Sequence, residues 1–97
     1  MRPTRPDAPP IRMHLFVEGR VQGVWFRDTV YHQATARGVS GWVRNLPDGR
    51  VEVVYEGPPD AVDELVTWTH RGPDRALVTL VEIHDETPQG ERGFNVR

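Results

Sequence analysis

Between residues 11 and 18 the chain alternates strictly, with Ile11, Met13, Leu15 and Val17 set against Arg12, His14, Phe16 and Glu18. A period of two residues is that of a β-strand with one face buried. Residues 26–37 then run without glycine or proline and stop at Gly38, a natural C-terminal helix cap, so a helix follows the strand. Residues 39–46 read as a second strand, Pro47-Asp48-Gly49 supplies turn chemistry, and residues 50–56 form a third strand that closes a hairpin. In that third strand Val51, Val53 and Tyr55 alternate with Glu52, Val54 and Glu56, which predicts a sheet covered on one side only. Gly57-Pro58-Pro59 ends the strand. Asp60 stands where an N-cap or first-turn acid belongs, and Val62, Leu65, Val66 and Thr69 follow at helical spacing. After Gly72-Pro73 a fourth strand spans 76–86, with Leu77, Thr79, Val81 and Ile83 alternating with Val78, Leu80, Glu82 and His84. Residues 88–93 are a loop, and 94–97 a brief closing strand with Phe94 and Val96 on one side.

The order β-α-β-β-α-β with a short extra C-terminal strand predicts an α+β protein, a ferredoxin-like sandwich. Right-handed crossovers put both helices on one face of a mixed or antiparallel sheet. The first strand is then central with the hairpin beside it. Whether the turn at Asn45 reaches the loop that follows the first strand depends on register.

Ninety-seven residues make a single domain, expected over 11–97. Residues 1–10 carry four prolines and no apolar run, so they read as a disordered tail and as neither a signal peptide nor a membrane anchor. A charge of −2 gives no basic field of the kind nucleic acids require, and nothing calls for a membrane. All basic residues are arginine, read as compositional bias. Without cysteine there is no disulfide, thiolate nucleophile or cysteine metal site. A cytoplasmic monomer is the expectation.

Candidate chemistry concentrates in Gly19-Arg20-Val21-Gln22-Gly23-Val24-Trp25-Phe26-Arg27. Two glycines there allow a tight turn and close approach to a ligand, and the unpaired N–H groups of a helix N-terminus suit an anion. Side chains in a first helical turn lean back toward the N-terminus, which would carry the Arg27 guanidinium over the loop. The loop lacks the Gly-Lys-Ser/Thr of a P-loop and the Gly-x-Gly-x-x-Gly of a dinucleotide site. Spacing alone leaves two readings, an anion site or a plain connector.

Gly19 to Arg27 together with Gly41-Trp42-Val43-Arg44-Asn45-Leu46-Pro47-Asp48-Gly49 resembles the acylphosphatase family, in both motifs and in their separation. The resemblance runs from about residue 12 to 97 and includes Tyr55-Glu56-Gly57 and Arg71-Gly72-Pro73. It implies hydrolysis of acyl phosphates to a carboxylate and inorganic phosphate, without metal or other cofactor. It also implies roles: Arg27 as the phosphate-binding arginine, the backbone N–H groups of Arg20, Val21, Gln22, Gly23, Val24 and Trp25 as the phosphate cradle, and Asn45 as the residue that positions the attacking water. Trp25 receives no role of its own beyond flanking the loop.

The leaving carboxylate, with a conjugate acid of pKa about 4, needs no strong general acid. Phosphoryl transfer then rests on positioning and electrostatics, which an arginine and fixed N–H donors can provide. Outside the resemblance, Asn45 reads first as the opening residue of an Asn-Leu-Pro-Asp-Gly hairpin, and Trp42 and Trp68 as packing residues. His14, His32, His70 and His84 lie on different elements in no metal-ligand pattern, and Asp60, Asp63 and Glu64 form an acidic first helical turn. The alternatives are a module that binds phosphate or an acyl phosphate without hydrolysing it, an RNA-recognition domain of the same fold, for which the negative charge and the missing aromatic motif are unsuited, and the acylphosphatase-like domain of larger carbamoyl-phosphate-handling maturation proteins.

Overall fold

The computed structural model describes residues 8–97, so most of the expected tail lies outside the described residues; 8–10 have no regular secondary structure. The alternating stretch forms β1 (Ile11–Arg20), followed by α1 (Phe26–Ala36), β2 (Ser40–Asn45), β3 (Val51–Gly57), α2 (Pro59–Thr69), β4 (Leu77–Glu86) and β5 (Phe94–Val96). The five strands make one sheet in the order β4-β1-β3-β2-β5, with β5 parallel to β2 and every other pair antiparallel.

Both helices pack on the face carrying Met13, Leu15, Val17, Val43, Val51, Val53 and Tyr55. In α1, Phe26, Val30 and Ala34 recur every four residues and are buried; each large apolar side chain so buried contributes about 1.5–3 kcal/mol. α1 ends where Gly38, at φ 67°, lets Gly38 N donate to Thr35 O (3.1 Å) and Val39 N to Ala34 O (3.0 Å). That is the Schellman arrangement. α2 starts with Pro59 at its first position and Asp60 in its first turn, and buries Val62, Leu65 and Thr69. The Thr69 hydroxyl and the buried Tyr55 hydroxyl are 2.8 Å apart, and burial raises the Tyr55 pKa.

Two expectations change. The fourth strand does not alternate cleanly, because a β-bulge shifts the β1–β4 register between Glu18 and Gly19: Glu18 pairs with Leu80, but Gly19 with Val78. Val78 and Val81 therefore pack on the core, while Leu77 and Leu80 are exposed. Gly19 belongs to this bulge, not to the loop beyond it. At φ 124°, a Cβ there would stand 2.0 Å from Leu77 O.

The second change is on the face without helices. Val54, Glu52 and Glu56 of β3 are buried there too, on the face opposite Val51, Val53 and Tyr55. Their cover comes from neighbouring strands. Arg12 donates to Glu56 (3.1 Å), Glu86 (2.8 Å) and Glu91 (2.9 Å), while His14 lies between Glu52 (2.6 Å) and Glu86 (2.8 Å). Trp42 completes the cover, with the Arg97 guanidinium 4.5 Å from its ring centre. The Glu56 carboxylate also accepts the main-chain N–H groups of Gln89, Gly90 and Glu91 at 2.7–2.8 Å. The chain leaves β4 at one edge and enters β5 at the other, so these bonds hold it where it crosses the sheet.

Candidate active site

β1 and β2 are both antiparallel to β3, so their C-terminal ends meet at one edge of the sandwich. Val17 pairs with Val51, and Val51 with Asn45. Asn45 therefore shares the helix-facing side with Val17 and Val43, level with a residue three positions before Arg20, the last of β1. The register left open by the sequence brings the two motifs together.

Val21 and Val24 are buried in the core and pin the loop from beneath. From the side, the Gln22 amide nitrogen donates to Leu46 O (2.8 Å) and Arg50 O (2.9 Å), tying the loop to the hairpin that carries Asn45. Gly23 sits at φ 73°, and nothing lies within 4 Å of where its Cβ would be. Glycine takes that conformation with no steric cost.

Between loop, hairpin and α1 lies a cavity of about 380 Å³. Its wall includes Gly23, Trp25, Arg27 and Asn45, together with Val21 and Phe26 from beneath and Asp28 and Val96 at the sides. The Asn45 Oδ1 atom is buried and has no hydrogen-bond partner. A buried acceptor left so costs about 1–3 kcal/mol, so the position demands a reason. Arg27 stands in the first turn of α1 and donates to the main-chain oxygen of Arg97 (3.2 Å), which leaves other N–H groups of its fork for a ligand.

Of the residues predicted to cradle phosphate, Val21, Gly23 and Trp25 line the cavity, as do Arg27 and Asn45. Arg20, Gln22 and Val24 do not. Arg20 is the last residue of β1, paired with Leu77; the Gln22 side chain serves the hairpin, and that of Val24 the core. The sequence reading missed Val96 and the Arg97 main-chain oxygen, since no local pattern reveals that a three-residue strand will lie parallel to β2.

A ferredoxin-like sandwich with an arginine, a glycine-turned loop and an orphaned amide oxygen around one cavity is a small α+β protein suited to receive an anion. The acylphosphatase family profile matches residues 13–96. The chain is 53% identical over 92 residues to the acylphosphatase of Trichormus variabilis, covering 95% of this chain and 91% of the relative. Against the acylphosphatase of Rubrobacter xylanophilus it is 59% identical over 87 residues, covering 89% and 79%. The solved structure of an acylphosphatase from Coxiella burnetii superposes with a TM-score of 0.88 at 36% identity, covering 92% of this chain and 94% of that one. The chain belongs to the acylphosphatase family, and it is an acyl phosphate hydrolase. No described helix is long and apolar enough to cross a membrane.

Proposed function

We propose that hydrolysis takes place in this cavity, with Arg27 and the loop N–H groups of residues 20–25 holding the phosphoryl oxygens and Asn45 orienting the water. The observation that carries the assignment is the unpartnered Asn45 Oδ1, a fixed acceptor buried in the wall that Arg27 shares. A water donating one proton to that oxygen presents its lone pair to a phosphorus held by the arginine. The new bond forms between the water oxygen and phosphorus. The phosphorus–carboxylate bond breaks with its electron pair leaving on the carboxylate, and the water proton passes to a phosphoryl oxygen, giving inorganic phosphate. The arginine and N–H donors, fixed before the reaction, supply the charge stabilisation that a magnesium ion provides elsewhere, so the reaction requires no metal or other cofactor.

The partner of the site is then a small acyl phosphate, gripped through its phosphoryl group. We read the protein as a monomeric cytoplasmic domain over residues 11–97 that binds no nucleic acid; its net charge of −2 supports the last of these.

Benzoyl phosphate hydrolysis in EDTA tests the assignment. The natural chain should turn over at full rate. Arg27→Ala loses two charge-assisted hydrogen bonds worth about 1.5–3 kcal/mol each, so kcat/KM should fall by about 10²–10⁴. Arg27→Lys should fail comparably, because a point charge does not replace a planar fork. Loss of activity with EDTA, or a near-normal Arg27→Ala enzyme, contradicts the assignment.

A further inference from the structure

Three local preferences are broken together at Trp25. It occupies the N-cap of α1, where Ser, Thr, Asp or Asn would accept an N–H bond, and it makes no side-chain cap bond. At φ 64° it is the only described non-glycine residue with positive φ, a conformation that is an outlier for a bulky side chain. Trp25 is 73% exposed, so no core packing compensates. The neighbours nevertheless over-determine the strain: Val24 and Phe26 are buried on either side, and the Trp25 main-chain oxygen accepts both the N–H (3.0 Å) and the hydroxyl (2.8 Å) of Thr29. Strain held in this way marks residues kept for what they contact.

The indole lines the cavity, and the other strongly exposed apolar residue of the wall is Val96 of β5. Gly23, Arg27 and Asn45 supply the polar part of the same wall. A phosphoryl group held there must direct its acyl substituent outward. The apolar surfaces on that path are those of Trp25 and Val96.

We propose that Trp25 is a specificity-determining residue whose indole packs against the acyl group and favours acyl phosphates with an aromatic acyl group over small aliphatic ones. The proposal rests on the site assignment made above. A flat π-surface at a solvent-open mouth rewards area and offset stacking; a benzoyl ring offers both and an acetyl methyl neither. The contact is remote from the bonds that change, so it acts in ground state and transition state alike and is read mainly in KM.

The test is kcat and KM for benzoyl phosphate and acetyl phosphate with the natural chain, Trp25→Asn, Trp25→Phe and Arg27→Ala. Asparagine takes the left-handed conformation readily, so the first variant removes the indole and keeps the loop. The benzoyl-to-acetyl ratio of kcat/KM should fall about tenfold in Trp25→Asn, chiefly through KM for benzoyl phosphate, and recover to within about threefold in Trp25→Phe. An unchanged ratio in Trp25→Asn, or equal falls in both variants, overturns the proposal. Wild-type turnover of both substrates by Arg27→Ala overturns the site assignment, and the proposal with it.

Discussion

Gln22 and Asn45 show how far single residues carry the site. The sequence places the Gln22 main-chain N–H in a candidate cradle, and its side chain works separately as a clamp, bonded to two carbonyls of the opposite hairpin. No sequence signal identifies that role, because the partners are main-chain atoms 24 and 28 residues away. Gln22→Ala deletes two neutral hydrogen bonds worth about 0.5–1.5 kcal/mol each, and should lower urea-unfolding stability by about 1–3 kcal/mol. Turnover should fall further than stability explains, since the loop loses its fixed distance to Asn45. Asn45 was legible as a motif residue, whereas its orphaned oxygen follows only from burial at the end of β2.

At the scale of elements, the alternation of β1 and the helical spacing in α1 and α2 were readable because each follows one period and meets one core. β4 was legible as a strand, but its clean alternation was not, because the bulge opposite Gly19 inserts Thr79 into its period. Gly19→Ala should therefore cost on the order of 3 kcal/mol or more, combining positive-φ strain with a clash against Leu77 O. Gly90→Ala is the control. Gly90 shares a positive φ, 79°, but a Cβ there meets nothing within 4 Å, so it should cost only about 1–2 kcal/mol. Thermal or urea unfolding of the two variants separates the contributions, and equal losses would refute the assigned role of the bulge.

For the whole molecule, the polar lattice opposite the helices joins the fold to the site. Arg12 and Glu56 hold the crossing segment, the segment leads into β5, and β5 brings Val96 to the cavity and Arg97 to Arg27. The sequence suggested a half-exposed sheet because the partners of each carboxylate come from other strands and from the crossing loop. Burial pushes the Glu56 carboxyl up, but the N–H groups of Gln89 and Glu91, the Arg12 guanidinium and the Gly90 N–H outweigh it and hold the group below its ordinary value. Glu52 is likewise raised by burial and lowered more by His14 and Arg44, while Arg12 and then His14 lower Glu86. Carboxylates depressed on folding bind fewer protons in the folded state, so they stabilise it above the unfolded carboxyl pKa of about 4.3 and lose that effect as pH falls through their folded values. Urea midpoints should drop steeply as pH falls below about 4.3. Glu56→Gln should be less stable at pH 7 and show a shallower acid fall, and an unaltered profile would refute the lattice's contribution.

The most direct test is Asn45→Ala, with turnover and unfolding measured on the same preparation. Losing one preorganised group should lower kcat by about 10²–10³, while removal of an unpaired buried acceptor leaves the unfolding midpoint unchanged or raised. Near wild-type turnover, or a loss of activity matched by a loss of stability, would make Asn45 a turn residue and remove it from the chemistry.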